Sequence, residues 1–230
     1  MEQEYDAIAQ KFSQTRKHFW RELEFIKKYA RKGENILDFG CGNGRLLDLI
    51  GKSGIDYYGV DVSGELIKIA REKYHGSHMH FAKIDPLAKE LPFIDGFFNT
   101  VYSIAVFHHF PSQEYRKRMA KELFARTKKG GAIVVTVWYL WPSLIPLLRR
   151  RKKEYFILIV KNWFEKMWGK SELDWNDCFI PFTDNAGKKI QRFHHAFTER
   201  ELKNLFSSVG FNIERCEVVG GRNIVLVGHK

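Results

Sequence analysis

The chain has 230 residues, 44% of them hydrophobic, 15% aromatic and 28% charged. That suffices for one domain with a buried core, is too little for two full ones, and excludes general disorder. Thirty-eight Lys and Arg against 27 Asp and Glu leave a net charge of +11, which favours a polyanionic partner, although a merely soluble basic surface gives the same number. The apolar runs 133–137 and 157–160 are far too short to span a bilayer. The stretch Met1-Glu2-Gln3-Glu4-Tyr5 carries no apolar signal region, so a cytoplasmic location is expected. Cys41, Cys178 and Cys216 show no Cys-x-x-Cys pairing, which argues against a disulfide scaffold or structural zinc.

Ile8, Phe12, Phe19, Leu23, Ile26 and Ala30 recur at helical steps and predict a helix over residues 5–30, within an N-terminal entry segment 1–32. Strands are then expected at 35–39, 57–61, 79–83, 98–103 and 132–138, with helices at 45–50, 65–73 and 114–126 between them. Strand and helix alternating in this way imply a doubly wound, mostly parallel sheet. Residues 139–190 are rich in Trp and Lys and read as an insertion after the fifth strand, helical over 144–168. Thr198-Glu-Arg-Glu201 has capping-box spacing and opens a helix over 199–209. Strands at 212–219 and 223–229 are joined through Gly220-Gly221, too short a link for parallel pairing, so they form an antiparallel hairpin. The expected fold is α/β: one Rossmann-like domain over 1–230 with a seven-stranded sheet, a C-terminal hairpin and a helical insertion.

Asp38-x-Gly40-x-Gly42-x-Gly44 lies at a strand end and opens a helix, where glycines let the backbone approach a ligand closely. The spacing is not Gly-x-Gly-x-x-Gly, and the preceding acid would repel a pyrophosphate, so a nicotinamide dinucleotide fits poorly. Asp61 ends the second strand, where a carboxylate can hold ribose hydroxyls. Asp85 follows the third, where a carboxylate can accept from an adenine amino group. Any one of these acids could be a cap or loop residue; three at successive strand ends are hard to assign to chance.

With these residues the chain resembles the class I S-adenosylmethionine-dependent methyltransferases. The resemblance implies that cofactor, with Asp38, Gly40, Cys41, Gly42 and Asn43 around its amino-acid moiety and Asp61 with Val62 at the ribose. Asp85 would read adenine without help from the next residue, since Pro86 has no N–H. Arg16 and Ser103 complete the implied cofactor set; Arg16 either reaches the cofactor carboxylate or caps its helix against Asp6 or Glu22.

Further stretches resemble one branch, the tRNA methyltransferases that esterify 5-carboxymethyluridine at the wobble position. They are Tyr5-x-x-Ile8-Ala9-x-x-Phe12-x-x-Thr15-Arg16-x-x-x-Trp20, Ser103-Ile-Ala-Val-Phe-His108-His109-Phe110, Val137-Trp138, Phe179-Ile-Pro181-Phe182 and Arg192-Phe-His-His195. Arg222-Asn223 sits where that branch has Arg and Asn-Trp. Phe182, His194 and Ile224 depart from the branch's Trp, Tyr and Trp. The resemblance implies tRNA as substrate, a small activating subunit as a further partner, and His108, Arg192, His194, His195 and Arg222 on the acceptor side. A carboxylate acceptor is already ionised near pH 7 and needs orientation more than a base. His108 would then neighbour the methyl group, or it is simply a histidine bonded in a helix-start loop. Arg192, His194 and His195 orient the acceptor, or pack between insertion and sheet.

The insertion carries Arg149-Arg-Arg-Lys-Lys153, Lys161, Lys166 and Lys170 among Tyr155, Phe156, Trp163, Phe164 and Trp168. Cations on phosphates and rings on splayed bases suit an anticodon loop. An apolar stripe with a solvated basic face, or membrane-surface contact through 144–170, fits the same pattern. A small-molecule or lipid-intermediate methyltransferase, with residues 138–148 lining a pocket, and a non-enzymatic RNA-binding subunit are the alternatives. His75, His78 and His80 lack a neighbouring acid or thiol and read as a polar loop, so no metal is expected.

Overall fold

The computed structural model describes residues 2–15, 19–88, 90–142 and 146–230. Helix α1 (Glu2–Thr15) and a 3-10 helix (Arg21–Tyr29) replace the single helix expected over 5–30. The apolar period runs through both, but Trp20 is extended (φ −73°, ψ 123°), so the two segments serve different surfaces. Leu23 and Ile26 of the 3-10 helix are buried against the sheet, while α1 packs against a helix farther along the chain.

The main sheet uses β1 (Asn35–Phe39), β2 (Asp56–Asp61), β3 (Met79–Lys83), β4 (Phe98–Ile104) and β5 (Thr127–Trp138), all parallel. The insertion supplies α5 (Pro146–Met167) and a separate antiparallel pair, β6 (Asp177–Thr183) and β7 (Lys189–His195). The expected C-terminal hairpin forms β8 (Asn212–Val219) and β9 (Asn223–His229), and the full order is β3-β2-β1-β4-β5-β9-β8. β9 is antiparallel to both its neighbours.

Strand alternation distributes the core over both faces of this sheet. Ile133, Val135 and Val137 of β5 point to one face with Met119 and Leu123 of α4 (Gln113–Arg126) and Phe206 of α6 (Glu199–Ser207). Ala132 and Val134 point to the other face, with Leu46 of α2 (Leu46–Ile50) and Ile67 and Ala70 of α3 (Gly64–Lys73). A third, smaller core of Leu140, Ile159, Cys178, Ile180 and Ala196 sits under the insertion. The side-chain caps of α3, α4 and α6 are Ser63, Ser112 and Thr198, each accepting from a backbone N–H in the first turn.

The insertion differs from expectation in being half β. Asp184 Oδ1 accepts from the N–H groups of Ala186 and Lys188 at 2.9 and 2.8 Å, and Gly187 takes φ +84°, which closes the β6–β7 turn. Within α5, the side chains of Arg149, Arg150 and Arg151 lie outside the described residues. Lys152 is buried over the Tyr139 ring at 3.9 Å, and burial lowers its pKa to about 8, so this member of the basic run is turned inward. Among the described residues no helix is long and apolar enough to cross a membrane.

Candidate active site

Strand order reverses at β1, which has β2 on one side and β4 on the other, and ligands of open α/β sheets bind outside the strand ends at such a point. A cavity of about 320 Å³ lies there, walled by the ends of β1, β2, β4 and β5 and by the segment after β3. The glycine loop forms its floor. Gly40 has φ +77°, and a Cβ there would come within 2.3 Å of Val106, so only glycine lets the loop pass beneath the β4 end. Gly40 and Cys41 both donate their N–H to Val60 O, at 2.8 and 3.0 Å, which ties the loop to β2.

Asp61 holds this loop from below. Its Oδ2 accepts from Gly42 N at 2.8 Å and its Oδ1 from Ser63 N at 2.9 Å. Burial raises its pKa, and these backbone donors work against that rise. Asp38 is also buried, with Oδ2 accepting from the Tyr57 hydroxyl and Oδ1 without a partner among the described residues. The Asp38 pKa is pushed up to about 7, chiefly by burial, with the Tyr57 bond opposing. An orphaned carboxylate oxygen beside a glycine loop suits an ammonium group. Asn43 bonds Ser13 of α1 at 2.9 Å, and Asp6 of α1 accepts from Ser63 Oγ at 2.6 Å, so α1 covers the cavity.

On the far wall, His108 is fully buried in the short 3-10 turn Phe107–His109. Its Nδ1 accepts from Trp138 N at 3.3 Å, which puts the proton of the neutral ring on Nε2, and Nε2 has no partner. Burial above all, then His109, His194 and Arg192, keeps the ring neutral by lowering its pKa. His194 stacks on it at 5.3 Å, donates from Nδ1 to Arg192 O, and leaves its own Nε2 without a partner. Arg192, 3% exposed, has its guanidinium 4.8 Å from the Phe182 ring and 5.8 Å from Trp138, with Nε unpartnered. His108, His109 and His194 bring ring nitrogens within 4.8 Å of one another. Because His108 presents an N–H and a guanidinium stands alongside, this set suits an anion better than a metal ion.

Of the expected cofactor residues, Asp38, Gly40, Cys41, Gly42, Asn43, Asp61, Val62 and Asp85 line the cavity. Asp85 sits at the exposed rim with Oδ1 engaged on Leu87 N at 2.8 Å. Ser103 is buried within β4 and is not part of the wall, and Arg16 lies outside the described residues. Of the acceptor residues, His108 and Arg192 reach the cavity, and His194 backs them from behind.

His195 and Arg222 are not brought to it. His195 lies between Asp177 (2.6 Å) and Glu201 (2.7 Å), pinning the hairpin to α6; burial alone would lower its pKa, and the two carboxylates outweigh it and raise it. The exposed Arg222 occupies the β8–β9 turn, where its carbonyl accepts from Tyr139 N, while its neighbour Asn223 is buried with Nδ2 unpartnered. The wall also includes Tyr5, Phe12, His109 and Tyr115, whose place there the sequence pattern does not reveal. The doubled histidine at 108–109 was the signal that could have marked the second of them.

This constellation can be set against known proteins. A family model described as a methyltransferase domain matches residues 10–215. The tRNA (carboxymethyluridine(34)-5-O)-methyltransferase of Arabidopsis thaliana is 38% identical over 134 residues, 58% of this chain and 31% of that protein. The chain therefore spans about a third of that relative's length. A S-adenosylmethionine-dependent methyltransferase structure from Methanosarcina mazei superposes with a TM-score of 0.68 at 21% identity, covering 92% of this chain and 98% of its own. A putative methyltransferase solved with the Haloferax volcanii Trm112 activator gives 0.66 at 16%, covering 99% and 96%. A glycine loop under a cavity at the strand-order reversal, with Asp38 near the end of β1 and Asp61 at the end of β2, accompanies this match over most of the chain, and the chain belongs to that family, as a class I S-adenosylmethionine-dependent methyltransferase.

Proposed function

We propose that this enzyme methylates a carboxylate, and that the carboxylate belongs to a 5-carboxymethyl group on the wobble uridine of a tRNA. The observation that carries the acceptor chemistry is the set of buried, unpartnered donors at one wall of the cofactor cavity. His108 and Arg192 both line this wall beside Trp138 with Nε2 and Nε unpartnered among the described residues, and a buried donor left unpaired costs free energy until an acceptor arrives. The cofactor supplies an electrophilic methyl group on a sulfonium centre. Asp38 offers its free oxygen to the amino end and Asp61 its carboxylate to the ribose, while the glycine loop lets the chain approach closely. Arg192 and His108 hold the acceptor carboxylate, and its oxygen needs no deprotonation because it is already ionised. Rate enhancement comes from holding acceptor and donor in line as a near-attack pair, with α1 and the aromatic wall excluding water.

The tRNA assignment is supported by the Arabidopsis relative's name and by the basic, aromatic insertion next to the acceptor wall. Phe164 of α5 and Trp168 just beyond it are 58% and 75% exposed, a poor use of rings unless something stacks on them. The Haloferax neighbour, solved with its activator, supports an activating subunit as a further component, which co-purification tests. The deciding experiment incubates the purified enzyme and S-adenosylmethionine with tRNA carrying 5-carboxymethyluridine, followed by nucleoside mass spectrometry. The methyl ester is the expected product; its absence, with methylation of a small carboxylic acid instead, would overturn the tRNA assignment.

A further inference from the structure

α1 touches both halves of the active site. On the cofactor side, Ser13 receives the Asn43 side-chain amide and Asp6 accepts from Ser63 Oγ and Glu65 N, at 2.9, 2.6 and 3.2 Å. On the acceptor side, Lys11 Nζ donates to Asp184 O in the β6–β7 turn at 3.0 Å. The Tyr5 hydroxyl meets His109 Nε2 at 2.8 Å, and His109 Nδ1 meets Phe193 O in β7 at 3.0 Å. With Nδ1–H given to a carbonyl, Nε2 carries the lone pair, so the Tyr5 hydroxyl is the donor. Phe193 lies between Arg192 and His194, the two β7 residues of the acceptor wall. The chain of contacts is therefore continuous from the glycine loop through α1, Tyr5 and His109 to β7.

We infer that His109 is a positioning residue, coupling cofactor occupancy to the placement of Arg192 and His194 through its bond to Tyr5. Cofactor in the cavity presses α1 into its covering position between the glycine loop and the hairpin. The Tyr5–His109–Phe193 bonds then fix the backbone of β7 between Arg192, which grips the acceptor, and His194, which backs it. Coupling is reciprocal, so an acceptor that orders β7 strengthens cofactor binding by the same factor. The role given to β7 rests on the acceptor reading above, whereas the coupling itself does not depend on the acceptor's identity.

Hydrogen exchange with S-adenosylhomocysteine as the only ligand tests the coupling without any acceptor. In the wild type, saturating ligand should slow amide exchange across 177–195 at least about fivefold, the low end of site-to-site coupling. Tyr5→Phe keeps the ring that packs edge-on against Phe12 and His109 but removes the donor. His109→Asn keeps a donor for Phe193 O but removes the acceptor for Tyr5. Both cut the same bond from opposite sides, so in both the ligand-dependent slowing in the hairpin should fall to near onefold while residues 40–44 stay protected. A purely structural bond would change hairpin exchange equally with and without ligand. A hairpin that ignores the ligand in the wild type, a full response in both variants, or loss in one variant only would each overturn the inference. A failure of tRNA methylation with coupling intact would refute the acceptor reading alone.

Discussion

Tyr57 donates its hydroxyl to Asp38 Oδ2 at 2.6 Å, and the opposite oxygen of the same carboxylate is buried with nothing to bind. Burial brings this carboxyl from 3.8 up to about 7, so below that pH the protonated form predominates. A raised carboxyl contributes stability that is full below its unfolded value and is lost as pH climbs through its folded value. The stability of the ligand-free protein should accordingly fall between about pH 4 and pH 7. Cofactor affinity should move the other way, strengthening from pH 6 to 8 as the ionised form meets the ligand's ammonium. Calorimetric titration with S-adenosylhomocysteine at several pH values checks this, with Asp38→Asn flattening the trend; an affinity independent of pH in the wild type would remove Asp38 from the ammonium site.

Asp61 is both loop strut and ribose ligand in this reading. Asp61→Asn keeps one acceptor for a backbone N–H but loses the charge, and hydrogen bonds to charged groups are each worth about 1.5–3 kcal/mol. A drop in S-adenosylhomocysteine affinity of about tenfold or more is expected. Equal calorimetric affinity in variant and wild type would reassign the ribose contact.

Arg192 and His108 separate orientation from proton transfer. Arg192→Gln should lower kcat/KM by about tenfold to a hundredfold through loss of one charged contact. His108→Gln retains an N–H donor and should keep part of the rate, and the wild-type rate at saturating cofactor should be level through pH 6.5, because no base is required. A rate limb near pH 6.5 that vanishes in His108→Gln would indicate deprotonation of a hydroxyl or amine instead.

The hairpin's anchor is energetic rather than chemical. Asp177, 1% exposed, pairs with a buried His195, and removing one partner of such a pair costs about 3–5 kcal/mol. For a chain of this size Asp177→Ala should lower Tm by about 6–20 °C at roughly 2–4 °C per kcal/mol. Scanning calorimetry showing an unchanged Tm would mean the pair contributes nothing net.

Lys153 and Lys161, exposed in α5, and Lys170, just beyond it, decide between a tRNA and a small acid. Replacing the three with Gln should reduce the salt slope of tRNA binding by about two units, at about 0.7 per phosphate contact in a single-stranded loop. Unaltered slope and affinity would take this face out of any nucleic-acid site.

The parallel sheet was legible because both faces of each central strand are buried and the turns between carry glycine. Ile36, Tyr57, Val134 and their opposite-facing neighbours read as short apolar runs for that reason. The extended Trp20 was not legible, since the apolar period of α1 continues in phase through Phe19, Leu23 and Ile26. The β6–β7 pair was missed although Asp184-Asn-Ala-Gly187 is a turn signal, because the aromatic and basic residues before it dominated the pattern. Within the site, the loop and its acids follow from local spacing. Tyr5 and His109 are 104 positions apart, and only tertiary packing brings them together.

β9 lies one strand in from the sheet edge, between β5 and β8, and covers the flank of β5 although more than eighty residues separate the two in sequence. Until residues 223–229 are in place, the Ile133–Val137 stretch of β5 has one edge of unpaired N–H and C=O groups on a strand buried on both faces. Such an edge invites pairing with another chain. During synthesis the first five strands therefore emerge as a sheet with an open, apolar flank, closed only when one of the last segments of this domain threads in antiparallel.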